Sequence, residues 1–155
     1  MNRIVGRIVS RRASALLASM LASQVWAGEF FEVDGLALHG YDPVAYVEAE
    51  RPTAGDPAQA FTYKGSKFLF ASAENRAKFA AAPEKYAPQF GGFCALGTAN
   101  GYKVATEPDA FKVVGGKLYL NYNRKVLDLW SKDMPGYIAK ANENWPAVSK
   151  TAAKQ

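Results

Sequence analysis

The sequence predicts an α+β fold: small antiparallel hairpins packed with several short helices in a single domain. Three observations predict it. Two runs rich in aromatic and β-branched residues each flank a tight Gly-containing turn. Apolar residues recur at helical spacing in the last third of the chain. Strands and helices are segregated along the sequence, with no alternating βαβ unit of the kind a parallel α/β sheet needs.

The elements follow in order. Phe61-Thr62-Tyr63 and Lys67-Phe68-Leu69-Phe70 flank Lys64-Gly65-Ser66, the pattern of an antiparallel hairpin. Ser72 stands as the cap of a helix over residues 73–82, which Pro83 ends. Pro83 also opens a short turn of helix, Glu84-Lys85-Tyr86, with its acid near the helix start, before Pro88 stops the run. Gly115-Gly116 can adopt the positive φ of a hairpin turn between Phe111-Lys112-Val113-Val114 and Lys117-Leu118-Tyr119-Leu120, placing Phe111 and Val113 on one face. Val126, Leu127 and Trp130 mark a helix over residues 124–130. Asp133 caps a last helix that starts near Pro135 and carries Ile138 and Trp145.

The chain of 155 residues divides into an export signal, a domain and a tail. Residues 1–27 combine Arg3, Arg7, Arg11 and Arg12, a short apolar stretch at 13–22, and Val25-Trp26-Ala27 with small residues where a signal peptidase reads, so cleavage is expected after Ala27. That stretch is about half of the roughly 20 residues needed to span a bilayer, so no stable membrane anchor is expected once the signal leaves. Ser10-Arg11-Arg12 resembles a twin-arginine start. Ser14 and Ala15, however, replace its bulky apolar residues, and the general secretory route is the expectation. The protein is therefore read as periplasmic or secreted. Residues 28–148 suffice for one hydrophobic core, and residues 149–155, small and polar, are expected to fray.

Removing the signal also removes the charge argument for a polyanionic partner. Of 19 Lys and Arg residues against 14 Asp and Glu, four leave with the signal, and fifteen against fourteen remain. Nucleic-acid binding is not expected. With one cysteine there is no internal disulfide, and packing must hold the fold.

Several motifs in order carry a resemblance. Gly40-Tyr41-Asp42-Pro43-Val44-Ala45-Tyr46, then Phe68-Leu69-Phe70-Ala71-Ser72-Ala73-Glu74-Asn75-Arg76 with Phe79, then Pro83-Glu84-Lys85-Tyr86, together resemble the YHS-domain family. The stretch from Phe111 to Pro146 resembles the C-terminal extension of its exported, single-domain members, with Leu120-Asn121-Tyr122-Asn123 and Asn144-Trp145-Pro146 as landmarks. In metal-binding members, cysteine directly follows Asp-Pro-Val and recurs around the aromatic strand and next helix. Here Ala45, Ala71 and Asn75 hold those places, and none is a soft ligand. The resemblance implies the scaffold, and a binding role that those positions do not carry.

Chemistry then rests on the single cysteine, Cys94 in Gly91-Gly92-Phe93-Cys94-Ala95, and the single histidine, His39. If the loop at His39 met the turn at Cys94, imidazole and thiolate could hold Cu(I) or another soft metal. Cys94 is otherwise a small buried hydrophobe, and His39 a hydrogen-bonded loop residue. Asp42 before Pro43 reads as a turn organiser through its side chain. Tyr41, Tyr46 and Phe93 would line an aromatic surface for a small ligand or a protein partner.

No Gly-rich phosphate loop, His-Glu-x-x-His, Gly-x-Ser-x-Gly or second histidine is present, so a binding or accessory protein is expected ahead of an enzyme. Three readings stand: a copper or soft-metal binder through Cys94 and His39; a structural, small-molecule or partner-binding domain with Cys94 in the core; and a thiol redox protein using Cys94 for mixed disulfides.

Overall fold

The computed structural model describes residues 29–154, so the export-signal reading of residues 1–27 lies outside it. Two short strands, β1 (Glu32–Val33) and β2 (Leu36–Ala37), come first, followed by a 3₁₀ turn at Leu38–Gly40 and helix α1 (Pro43–Ala49). The aromatic hairpin follows as β3 (Asp56–Tyr63) and β4 (Ser66–Phe70), then α2 (Ala73–Ala81), α3 (Pro83–Tyr86) and α4 (Ala95–Ala99). The rest comprises β5 (Lys103–Val104), the hairpin β6 (Phe111–Val114) and β7 (Lys117–Leu120), α5 (Arg124–Trp130), α6 (Met134–Val148) and β8 (Ala153–Lys154). This is an α+β fold, as expected. Among the described residues no helix is long and apolar enough to cross a membrane.

Local chemistry accounts for most of these boundaries. Both hairpins turn on two residues at positive φ: Lys64 with Gly65, and Gly115 with Gly116. That backbone matches the right-handed twist of the flanking strands. Ser72 Oγ accepts the Asn75 N–H, Asn123 Oδ1 accepts that of Val126, and Asp133 Oδ1 accepts that of Gly136, each closing a helix start. At the other end of α4, Asn144 Nδ2 donates to the carbonyls of Thr98 and Ala99 at 3.2 and 3.0 Å, tying that short helix to α6.

A four-stranded sheet in the order β1-β2-β4-β3 is antiparallel except where β2 runs parallel to β4. The β6–β7 hairpin stands apart from it. Its alternation divides the interior. Leu118 and Leu120, with Phe111 and Val113 opposite them, belong to a core shared with the sheet and α1 to α3; Tyr119 and Val114 face a second core with Cys94, Leu127 and Trp130. In the first core, Phe79 meets Phe68 and Phe70 with ring centroids 4.9 and 5.1 Å apart, contacts worth about 0.5–1.5 kcal/mol each beyond their burial.

One expectation is extended here and one corrected. Asp42 organises the chain through its side chain as expected, accepting the Val44 N–H two residues on, and the same carboxylate caps the start of helix α1, with Pro43 at the first helical position. The tail expected to fray pairs its residues Ala153–Lys154 in parallel with Lys103–Val104, and Lys154 Nζ lies 4.2 Å from the Tyr102 ring centroid. A backbone ladder and a cation over an aromatic face supply what composition does not reveal.

Candidate functional site

The Asp-Pro-Val segment is built around the Asp42 carboxylate, which is fully buried. Oδ1 accepts the N–H groups of Val44 and Ala45 at 2.8 and 3.1 Å, while Oδ2 accepts the Ala71 N–H at 2.8 Å and the Asn75 side-chain amide at 2.7 Å. Ala45, Ala71 and Asn75, the positions where the resemblance implies cysteines in metal-binding members, thus all donate to one carboxylate. Four donors in a dry setting make a structural anchor. Nothing soft is left there to take a metal.

Cys94 is 1% exposed and forms the N-cap of α4, its sulfur accepting the Gly97 N–H at 3.4 Å and lying 3.6 Å from Asn121 Oδ1, to which it donates. Asn121 Oδ1 also accepts the Leu96 N–H at 3.2 Å. Burial pushes the Cys94 thiol above its ordinary value, opposed by backbone N–H groups that favour the thiolate. A small cavity of about 210 Å³ adjoins the residue, walled mainly by Tyr102, Val104, Tyr122 and Val126. None of these walls is a metal ligand of the soft kind.

His39 lies elsewhere. Its Nε2 is 2.7 Å from the Thr106 carbonyl oxygen, to which it donates, and its ring stands edge-on to Phe31 with centroids 5.5 Å apart. Phe31 in turn meets Phe93 at 5.5 Å, so the imidazole belongs to the Phe93 side of the chain. Cys94 belongs to the second core and lines the smaller cavity, whereas Phe93, the residue before it, lines a different opening. The pairing of Cys94 with His39 as metal ligands is therefore corrected: the sulfur is engaged by Asn121 and Gly97 within the second core, and the imidazole by Thr106 and Phe31. The donor set does not fit a shared Cu(I) site. Among the described residues no group of three or more His, Cys, Asp or Glu side chains is arranged to hold a metal.

The aromatic surface is also redistributed. Tyr46 is fully buried, stacks edge-on with Phe111 at 4.9 Å and donates its hydroxyl to the Pro108 carbonyl at 2.8 Å; burial raises its pKa well above the phenolic range. Tyr41 packs partly buried against the same core, 6.4 Å from Tyr46. Tyr46 is thus an interior ring and Tyr41 packs beside it, away from the opening lined by Phe93, which corrects the expectation of one shared aromatic surface. A small domain fills its interior with rings when aliphatic residues are scarce, and the hydroxyl finds a carbonyl.

Phe93 does line an opening. A cavity of about 590 Å³ lies between Phe30, Phe31, Phe93 and Ala105 on one side and the returning tail, residues 149–154, on the other. Lys103 Nζ projects into it, 4.9 Å from the Phe93 ring centroid and 3.1 Å from the Ser149 carbonyl oxygen, to which it donates. Burial lowers the pKa of this amine. Phe31 is held in place by Gly91, which lies outside the cavity lining. This glycine holds φ +61°, its carbonyl accepts the Phe31 N–H at 2.8 Å, and a Cβ there would collide with the Glu29 carbonyl oxygen. Lys103, Phe31 and the tail lysines escaped sequence reasoning. The one legible signal was Lys103 between Tyr102 and Val104, a charge inside a short apolar run.

No family model matches the chain, and no match was found among curated proteins or solved structures.

Proposed function

We propose that this protein is an exported binding module of the YHS type whose ligand site is the cavity between Phe93 and the C-terminal tail, with Cys94 serving as a core and capping residue. One observation carries the reading: a concave, largely apolar opening of about 590 Å³ with a single partly buried amine at its wall. Sites for small molecules have this composition, apolar walls with a few placed polar groups, and this size. The commitment of Cys94 to Asn121 and Gly97, and of His39 to Thr106, argues against the copper reading.

The neutral fluorescent probe N-phenyl-1-naphthylamine tests it on the mature chain. Saturable binding should appear and be lost in Ala105→Trp, which fills the cavity, while Cys94→Ser binds as wild type. Stoichiometric Cu(I) binding that disappears in Cys94→Ser, with no probe binding, would overturn the proposal in favour of the metal reading.

A further inference from the structure

Resting on that cavity as a ligand site, we infer that its ligand is an amphipathic monocarboxylate, with an apolar body against Phe31 and Phe93 and its head on Lys103. Charge carries the first part of the argument. Among the described residues, those lining the cavity include Lys103, Lys150 and Lys154 and no acid. The ion pairs among the described residues are those of Lys64 and Lys78, and none of these residues supplies a carboxylate to Lys103. Its ammonium carries three N–H donors and uses one on the Ser149 carbonyl.

The second part is desolvation. A partly buried cation without an anion is held at a cost, which here shows as the lowered pKa of Lys103, and an incoming carboxylate relieves it by favouring the charged form. A neutral ligand has no such effect. The third part is shape. The rings of Phe31 and Phe93 are tilted by 52° and form a wall that accepts an apolar chain or ring. Lys150 and Lys154 sit at the exposed rim, where they raise the local concentration of anions without being buried themselves.

Competition against the bound neutral probe separates this inference from the reading beneath it. Decanoate should displace N-phenyl-1-naphthylamine about tenfold or more tightly than decanol, as a charge-assisted hydrogen bond requires. Lys103→Met should erase that preference, read as the ratio of decanoate to decanol displacement within the variant and so independent of any change in its probe affinity, and Lys103→Arg should keep it. Equal displacement by decanoate and decanol in the wild type would overturn the carboxylate inference while the cavity reading stands. A preference surviving in Lys103→Met would overturn the role of Lys103. Failure of the probe itself to bind would sink both.

Discussion

The Asn75 side-chain amide donates to Asp42 Oδ2 at 2.7 Å, the shortest of the four bonds that satisfy this buried carboxylate. It joins the start of α1 to the first turn of α2 across the end of β4. Asn75 is therefore the one side chain, among three backbone donors, through which the anchor can be tuned by mutation.

Asn75→Ala should lower stability by about 1 kcal/mol, the net worth of one such bond, whereas Asp42→Ala strands several buried donors and should cost about 3 kcal/mol or more. In urea unfolding the double variant should be hardly less stable than Asp42→Ala alone. Additive losses in that cycle would refute the coupling.

The thiol of Cys94 gives stability a pH dependence of known sign. Burial raises its folded-state pKa above the unfolded one, so the native state keeps a proton that the unfolded chain releases. Its contribution is complete below the ordinary thiol range and declines as pH rises toward the folded value, by at most about 1.4 kcal/mol per pH unit. Compared with Cys94→Ser, whose hydroxyl can still cap α4, the wild type should lose stability over the alkaline window that opens at about pH 8.5. Lys103, shifted the other way, is common to both proteins and cancels. A stability difference that stays flat across that window contradicts the account.

Gly91→Ala should unseat the segment that brings Phe31 to the cavity. The left-handed backbone alone costs about 1–2 kcal/mol for a residue with a Cβ. The collision with the Glu29 carbonyl adds to it. Gly35→Ala is the matched control, with φ +75° and nothing within 4 Å of the added carbon. The Gly91 variant should unfold at lower urea than the control and bind the neutral probe more weakly; equal behaviour of the two would remove Gly91 from the support of Phe31.

Much of the fold was legible in the sequence because its signals were local. Gly115-Gly116, Ser72 and Asp133 each set a turn or cap through contacts within four residues, and the structure places them as expected. The helix α4 was not legible. It has five residues, begins on a cysteine and contains Gly97, so propensity argued against it, and its ends depend on Asn121 and Asn144 far along the chain. The pairing of β8 with β5 spans two residues from each strand, too few for any periodic pattern.

The site was less legible than the fold. Cys94 and His39 drew attention as rare residue types, yet rarity says nothing about direction. Phe93 and Cys94 follow three residues at positive φ, Phe90, Gly91 and Gly92, and line two different cavities, a separation that residue type does not encode. Phe93, taken for one of three surface aromatics, is the one that faces the opening.

The β6–β7 hairpin presents one set of side chains to each of the two cores. It works as a party wall: Leu118 and Tyr119 are neighbours in sequence and tenants of different rooms. Loosening either room strips the wall of support on that side, and damage near the sheet thereby reaches the half of the molecule that holds Cys94 without any ligand or moving loop to carry it.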